Sequence, residues 1–510
     1  MIDLLIDLLL AAAALLAIYG VGRSLSVLLP PEPQPRSVRL ALSLGLGLGL
    51  IATVLFLAGL LGLLAPLAGY VLLAIGLALA ARQRRTLLED LRAPWEVIRV
   101  VAGGSWLLRA TGLLVRAFVL LNLIGDLAPP LEGDTVHQYL LTPRYWVEAG
   151  RYVQPAHIWA ATLPGNMMMM SAWTLLLRPS FSLATLVTGL GMSLFFALGV
   201  YALARTVMPR SGAFLAVALI YTMPDASYLA QSAKVDMGWA FFEALTLLAF
   251  FRWLDAPRDG RSATRGLPWL ALTGVYLGLA AGSKNQTFIS VALLGGWLLL
   301  RLIARRDWRG GLRALLQFGG ALALAALPYY LYNAIAHRNP FYPVFADLFA
   351  RFGGTPSPRS ELGTEIFYAF TPGGYLANLW GMAVGHNPSL GFYLGFIPGP
   401  VFLILIVAAL LLGLYRSQRP VWRMLGYAFV FSLLWFVVKQ AARHFLPGLV
   451  LLAVAAGYAL WQIGQRRQAA LRIIALAVMA GIALNLVSWL GVFYWSGVYR
   501  VAFGLETRAA

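Results

Sequence analysis

The sequence predicts an all-α polytopic membrane protein with about fourteen transmembrane helices. Three observations lead there. Of 510 residues, 60% are hydrophobic and 12% charged, with a mean hydropathy of +0.77; soluble domains carry about twice that share of charge. Apolar runs of ~20 residues, the length a helix needs to cross a hydrocarbon core, recur from end to end. The polar/apolar alternation of a membrane β-barrel is absent, so the backbone must be satisfied within helices.

The elements follow in order. Ile2–Gly20 starts with Asp3 and has no basic n-region, so it reads as a retained helix and not a cleaved signal. The linker Arg23–Arg39 is Pro-rich and basic. Leu40–Leu64 and Pro66–Ala81 form a helical hairpin. The Gly-Leu alternation at Gly45–Leu50 lacks the GxGxxG spacing of a phosphate loop and lies inside a span, where small residues permit close helix packing. Arg82–Arg99 is arginine-rich and is placed in the cytoplasm. Trp106–Leu127 then crosses outward, with Arg116 inside it as a snorkelling, paired or lipid-contacting cation. Glu132–Ser180 is a long outer loop, with short interfacial helices expected at Thr135–Ala149 and Pro164–Leu177. The Met167–Met170 run reads as adaptable packing.

Beyond the loop the predicted spans alternate direction: Phe181–Ala204, Ser211–Met223, Met237–Leu254, Leu267–Ser283, Thr287–Ile303, Ala314–Tyr332, Phe396–Leu414, Met424–Val438, Phe445–Ile463 and Ile473–Trp495. Arginines fill the inward loops, and the longer polar loops, including Asn333–Leu394, fall outside. The net charge of +19 is therefore charge asymmetry across a membrane, and no nucleic-acid partner is inferred. With no cysteine, disulfides, thiolate nucleophiles and Cys–metal sites are excluded.

This topology brings chain-distant residues to one surface. Glu132, Asp134, His137 and Tyr139 come from the first outer loop, Asp225, Lys234 and Asp236 from the next, then Lys284, His337 and Arg338, and last Lys439 and Arg443. Outward cations such as Lys284 and Arg443 run against the usual charge bias. The acids suit a general base or a divalent cation, magnesium or manganese. The cations suit a phosphate. Asp134 also suits a helix cap before Thr135, and Asp236 one before Met237. Asp134 with His137, or Glu132, offers two metal ligands without an identified third. The Asn285-Gln286-Thr287 sequon, in a tight turn, reads as incidental.

Six stretches resemble the polytopic GT-C glycosyltransferases, and most of all the bacterial relatives of protein O-mannosyltransferases and aminoarabinose transferases. They are Ala128-Pro129-Pro130 with EGDTVHQYLLTPRYWVEAGRY, LPGNMMMM at Leu163–Met170, AKVDMGWAFFEALTLLAFFRW at Ala233–Trp253, GLAAGSKNQTF at Gly278–Phe288, NPFYPVF at Asn339–Phe345 and ARHFLPGLVLLAVAAG at Ala442–Gly457. The family's Tyr-His pair after the first Asp stands here as Gln138-Tyr139, with His137 one position earlier. The helices before Trp106 look like an N-terminal addition.

The resemblance implies an inverting transfer of a sugar from a polyprenyl-phosphate donor to an acceptor hydroxyl or amine of a protein, lipid or polysaccharide, at the outer face of a bacterial inner membrane. Asp134 would act as base. Lys284 and Arg443 would hold the departing phosphate, with Arg338 as a further outward cation, and Asp236 would orient them or help bind a cation. The expected organisation is extra helices over 1–105, a catalytic core over 106–332 with the outer loop at 126–180, a second outer loop at 333–395, and terminal helices over 396–510. A transporter or flippase of a lipid-linked saccharide is a competing reading, as is a non-catalytic membrane subunit on the same scaffold. A transporter would line a midplane path with polar side chains, for which the sequence offers mainly Arg116.

Overall fold

The computed structural model describes residues 2–130, 132–155, 157–256, 266–306, 308–356, 366–384, 400–416, 419–465 and 469–506. Every element among them is helical. Among the described residues ten helices are long and apolar enough to cross a membrane, or twelve if two sharply bent pairs each count as one span. The chain is thus a multi-pass membrane protein, and its described residues do not reach the expected count of fourteen. The physical reason is length: a crossing takes about 20 residues at 1.5 Å each. Leu267–Ala281 has 15 residues. Arg210–Tyr221 has 12 and breaks by 77° into Pro224–Ala230. Pro66–Arg82 bends by 80° into Arg84–Ala102, so the expected cytoplasmic loop there is helical. The stretch 385–399, where the expected Phe396–Leu414 span begins, lies outside the described residues, as do Arg258, Arg261, Arg265, Arg466 and Arg467.

The Asp236–Asp255 helix is the axis of the core, buried along nearly its whole length. It packs against Met192–Ala204, Leu267–Ala281, Arg36–Leu60 and Leu446–Gly464. Apolar residues all round such a helix fit burial on every side. Trp106–Asp126 and Arg472–Trp495 are peripheral, with most of their apolar surface turned outward; Arg116 is exposed on that outer flank and lines no internal path.

The N-terminal helices belong to the same hydrophobic core as the rest. They also anchor the 132–180 loop: Tyr152 N donates to Gly59 O at 2.9 Å, Leu64 N donates to Gly150 O at 3.0 Å, and Trp173 Nε1 donates to Gly69 O at 3.0 Å. The expected helix at Pro164–Leu177 forms over Met168–Leu177, but it lies inside the protein with all ten residues buried, not on the interface. Its methionines join the core cluster, which fits the packing role of a flexible thioether.

Candidate active site

Three acids and three cations meet where the 132–180 loop, the start of Asp236–Asp255, the Ala281–Thr287 turn and the start of the Leu446–Gly464 helix converge. Glu132 caps the helical turn that starts at Thr135: its carboxylate accepts from Thr135 N and Thr135 Oγ1, each at 2.7 Å, and from Asp134 N at 3.1 Å. Capping thus falls to Glu132, and Asp134 makes no side-chain cap bond. Glu132, expected as a metal or acceptor contact, also meets Lys234 at 3.0 Å.

Asp134 Oδ2 accepts from Arg443 at 3.0 Å and lies 3.3 Å from Lys234 Nζ. Its side chain is 48% exposed, whereas Lys234 is 2% exposed. Lys234 therefore holds the two acids from inside, while Asp134 keeps an open outer side. Lys234 also donates to Tyr228 Oη at 3.4 Å and lies 5.0 Å from that ring's centroid. Burial pushes the Asp134 carboxyl up, but Lys234 and then Arg443 outweigh it and hold the group below its ordinary range. Glu132 is likewise held low, its burial outweighed by Lys234 and Thr135.

Asp236 is ion-paired to Lys284, whose ammonium also lies 4.8 Å from the centroid of the Trp239 ring. Asp236 is the first residue of its helix, and Val235, not Asp236, holds the cap position. The Lys284 turn is fixed by local necessities. Asn166 N donates to Gly282 O at 3.0 Å, and a Cβ at Gly282 would stand 2.2 Å from the Asn166 amide; glycine is what lets the two segments touch. Thr287 of the sequon is buried and accepts from Trp239 Nε1 at 2.7 Å. Burial lowers Lys284 to about 8 against the opposing effect of Asp236, and Arg443 pushes in the same direction.

Arg443 joins the two halves. It bonds Asp134, and its charge acts on Asp236 and Lys284 as well. It sits on the turn Ala442–Phe445 that precedes Leu446–Gly464, with Pro447 in the helix's first turn. Tyr139 is buried, its phenol raised first by burial and then by the charges of Asp236, Asp134 and Glu132. The wide i→i+5 turn over Thr135–Leu140 stacks position 139 near 134 and leaves His137 exposed. Tyr139, not His137, is thus the aromatic turned toward the acids.

Arg338 lies apart. It is exposed on left-handed backbone (φ 51°) with its guanidinium beside Gly353. The neighbouring His337 instead ties its own loop to the 132–180 loop, meeting Gln154 Oε1 at 2.6 Å and stacking on Tyr342. Lys234, which sequence reading grouped with the outer residues without a role, is the lysine that bridges Glu132 and Asp134. Its signal was the same as that of Lys284: a cation on the side where cations are scarce.

Among the described residues no three His, Asp or Glu side chains come together as a ligand set. Each of the three site carboxylates already faces a lysine. This arrangement does not fit a divalent cation, and no chemical step is assigned to one.

No protein-family model matches this chain, and no curated protein does. Among solved structures it is similar to ArnT from Cupriavidus metallidurans, in the apo state at TM-score 0.47 and 17% identity over 77% of this chain and 74% of that chain. The same protein bound to undecaprenyl phosphate gives TM-score 0.44 and 18% identity, over 76% and 75%. The Archaeoglobus fulgidus oligosaccharyltransferase in the apo form gives TM-score 0.40 and 16% identity, over 79% of this chain and 56% of that chain.

Proposed function

We propose that the chain is an integral-membrane glycosyltransferase that moves a sugar from a polyprenyl-phosphate donor to an acceptor hydroxyl or amine, with inversion, at the outer face of a bacterial inner membrane. The acceptor is a protein, lipid or polysaccharide group. The observation that carries the reading is Arg443 bonded to a half-exposed carboxylate, Asp134, with its charge also acting on the buried Asp236–Lys284 pair. One side of this arrangement offers a base open to an acceptor, and the other offers cations for a leaving phosphate.

The acceptor oxygen or nitrogen attacks C1 of the sugar as its proton passes to Asp134. The bond from C1 to the phosphate oxygen breaks, and its electron pair leaves with the lipid phosphate. Lys284 and Arg443 neutralise that developing charge, in a setting where water screens it less than in bulk. Asp236 keeps Lys284 aimed. A carboxylate clamped by two cations is a weak base. When the donor phosphate takes Arg443, Asp134 keeps Lys234 alone and becomes more basic, so donor binding prepares the base.

The test uses the purified full chain with polyprenyl-phosphate hexoses and pentoses, reading release of free polyprenyl phosphate, the product common to all donors. Asp134→Asn should lower turnover by roughly 10²–10⁴-fold, the usual worth of a general base, while donor binding persists. Full activity in that variant would sink the assignment.

A further inference from the structure

A second surface lies at the opposite end of the bundle from the site. Pro66–Arg82 is followed at once by Arg84–Asp90 and Arg92–Ala102, with an 80° bend between the first helix and the pair. The bend is pinned. Gln83 Nε2 donates to Ser24 Oγ at 2.8 Å, and Tyr19 Oη donates to Asp90 at 3.0 Å. Arg23 Nε lies 3.1 Å from the same Asp90 carboxylate, with both side chains buried. On the inner side Ala93 and Val101 are buried, and Glu96 pairs with Arg210 at 2.7 Å.

The outer side is of different chemistry. Leu88, Leu91, Trp95 and Ile98 follow one another at spacings of three and four and are 65%, 56%, 53% and 38% exposed. Arg82, Arg84, Arg85, Arg92 and Arg99 are exposed around them, and Arg99 lies 5.9 Å from the Trp95 ring centroid. Of the three acids between positions 82 and 102, only Glu89 is exposed. An apolar stripe flanked by arginines, held across the direction of the spans, is the pattern of a helix lying in a membrane interface. Both chain neighbours are apolar helices with outward-facing surface, at Val71 and Ile75 before the segment and at Trp106 and Leu113 after it. The stripe thus lies, in sequence, between two helices that expose apolar side chains.

We infer that the 84–102 segment is a docking surface for anionic phospholipids, with the stripe in the acyl boundary and the arginines on headgroup phosphates. Guanidinium binds phosphate oxygens bidentately, and basic residues at a membrane surface favour anionic over zwitterionic lipid. An acidic protein partner would use the arginines but would leave the apolar stripe without lipid contact.

The absence of cysteine makes the test clean. Leu91→Cys in the full chain is labelled with a fluorophore and reconstituted in phosphatidylcholine vesicles containing about one-third phosphatidylglycerol, with doxyl-labelled versions of either lipid as quencher. Quenching by the phosphatidylglycerol probe should exceed that by the phosphatidylcholine probe by roughly two- to threefold at low salt. The excess should vanish in about 0.5 M salt and in the background Arg84→Gln, Arg85→Gln, Arg92→Gln and Arg99→Gln. Equal quenching by the two lipids would overturn the inference, and so would a label reached by aqueous iodide and not by lipid. If the fourfold variant misfolds, the salt series on the otherwise native chain still decides.

Discussion

Arg443 reaches Asp134 across 309 positions of sequence, and the site depends on such distant single-residue contacts. The lysine most exposed to test is Lys284. Burial lowers it to about 8, so in the free enzyme it is charged below that pH and loses its proton as pH rises through it. If its charge holds the donor phosphate, kcat/KM for the donor should fall as pH rises through about 8. Lys284→Arg should remove that descending limb, because guanidinium stays charged; a limb that stays in place would assign it to another group. The sequence singled out Asp134, Asp236, Lys284 and Arg443 because polar residues beside spans stand out. It could not separate Tyr139 from His137, since that choice rests on one local turn being wider than an α-helix.

At the scale of elements, helix contact here depends on missing side chains. Gly274 and Gly278 lie on one face of Leu267–Ala281, where added Cβ atoms would stand 2.3 Å from Phe318 O and 2.4 Å from Leu322 O. Backbone cannot yield as a flexible side chain can, so close approach needs glycine. Gly278→Leu should therefore lower stability by about 1–3 kcal/mol or more, read as a lower thermal unfolding midpoint in detergent. Gly319→Leu should be nearly neutral, because nothing beyond its own helix backbone and chain neighbours lies within 4 Å of its Cβ position. Element lengths were less legible than element positions. The apolar runs marked where helices lie, but whether a short one crosses or bends depends on its packing partners.

The whole molecule has two chemically distinct ends. One carries the acid–cation cluster, and the other the arginine-rich 84–102 segment. The orientation proposed from loop charge makes a prediction at this scale. Gly133→Cys, at an exposed position with open space around its Cβ, should react with a membrane-impermeant maleimide in intact cells. Arg84→Cys should react only after lysis. The reverse pattern would place the site on the cytoplasmic face.

The sequence by itself determined that this is a helical multi-pass membrane protein, roughly where its helices run, and which polar residues are out of place. Those properties follow from a constraint that acts on each segment separately: a hydrocarbon layer of fixed thickness that rejects charge and unpaired backbone. Only the tertiary structure decided that Glu132 caps while Asp134 stays open, that Lys234 clamps both, that Arg338 stands apart and that the methionine helix is interior. These outcomes depend on which distant segments pack side by side, and a burial pattern read along one chain does not carry the identity of its neighbours.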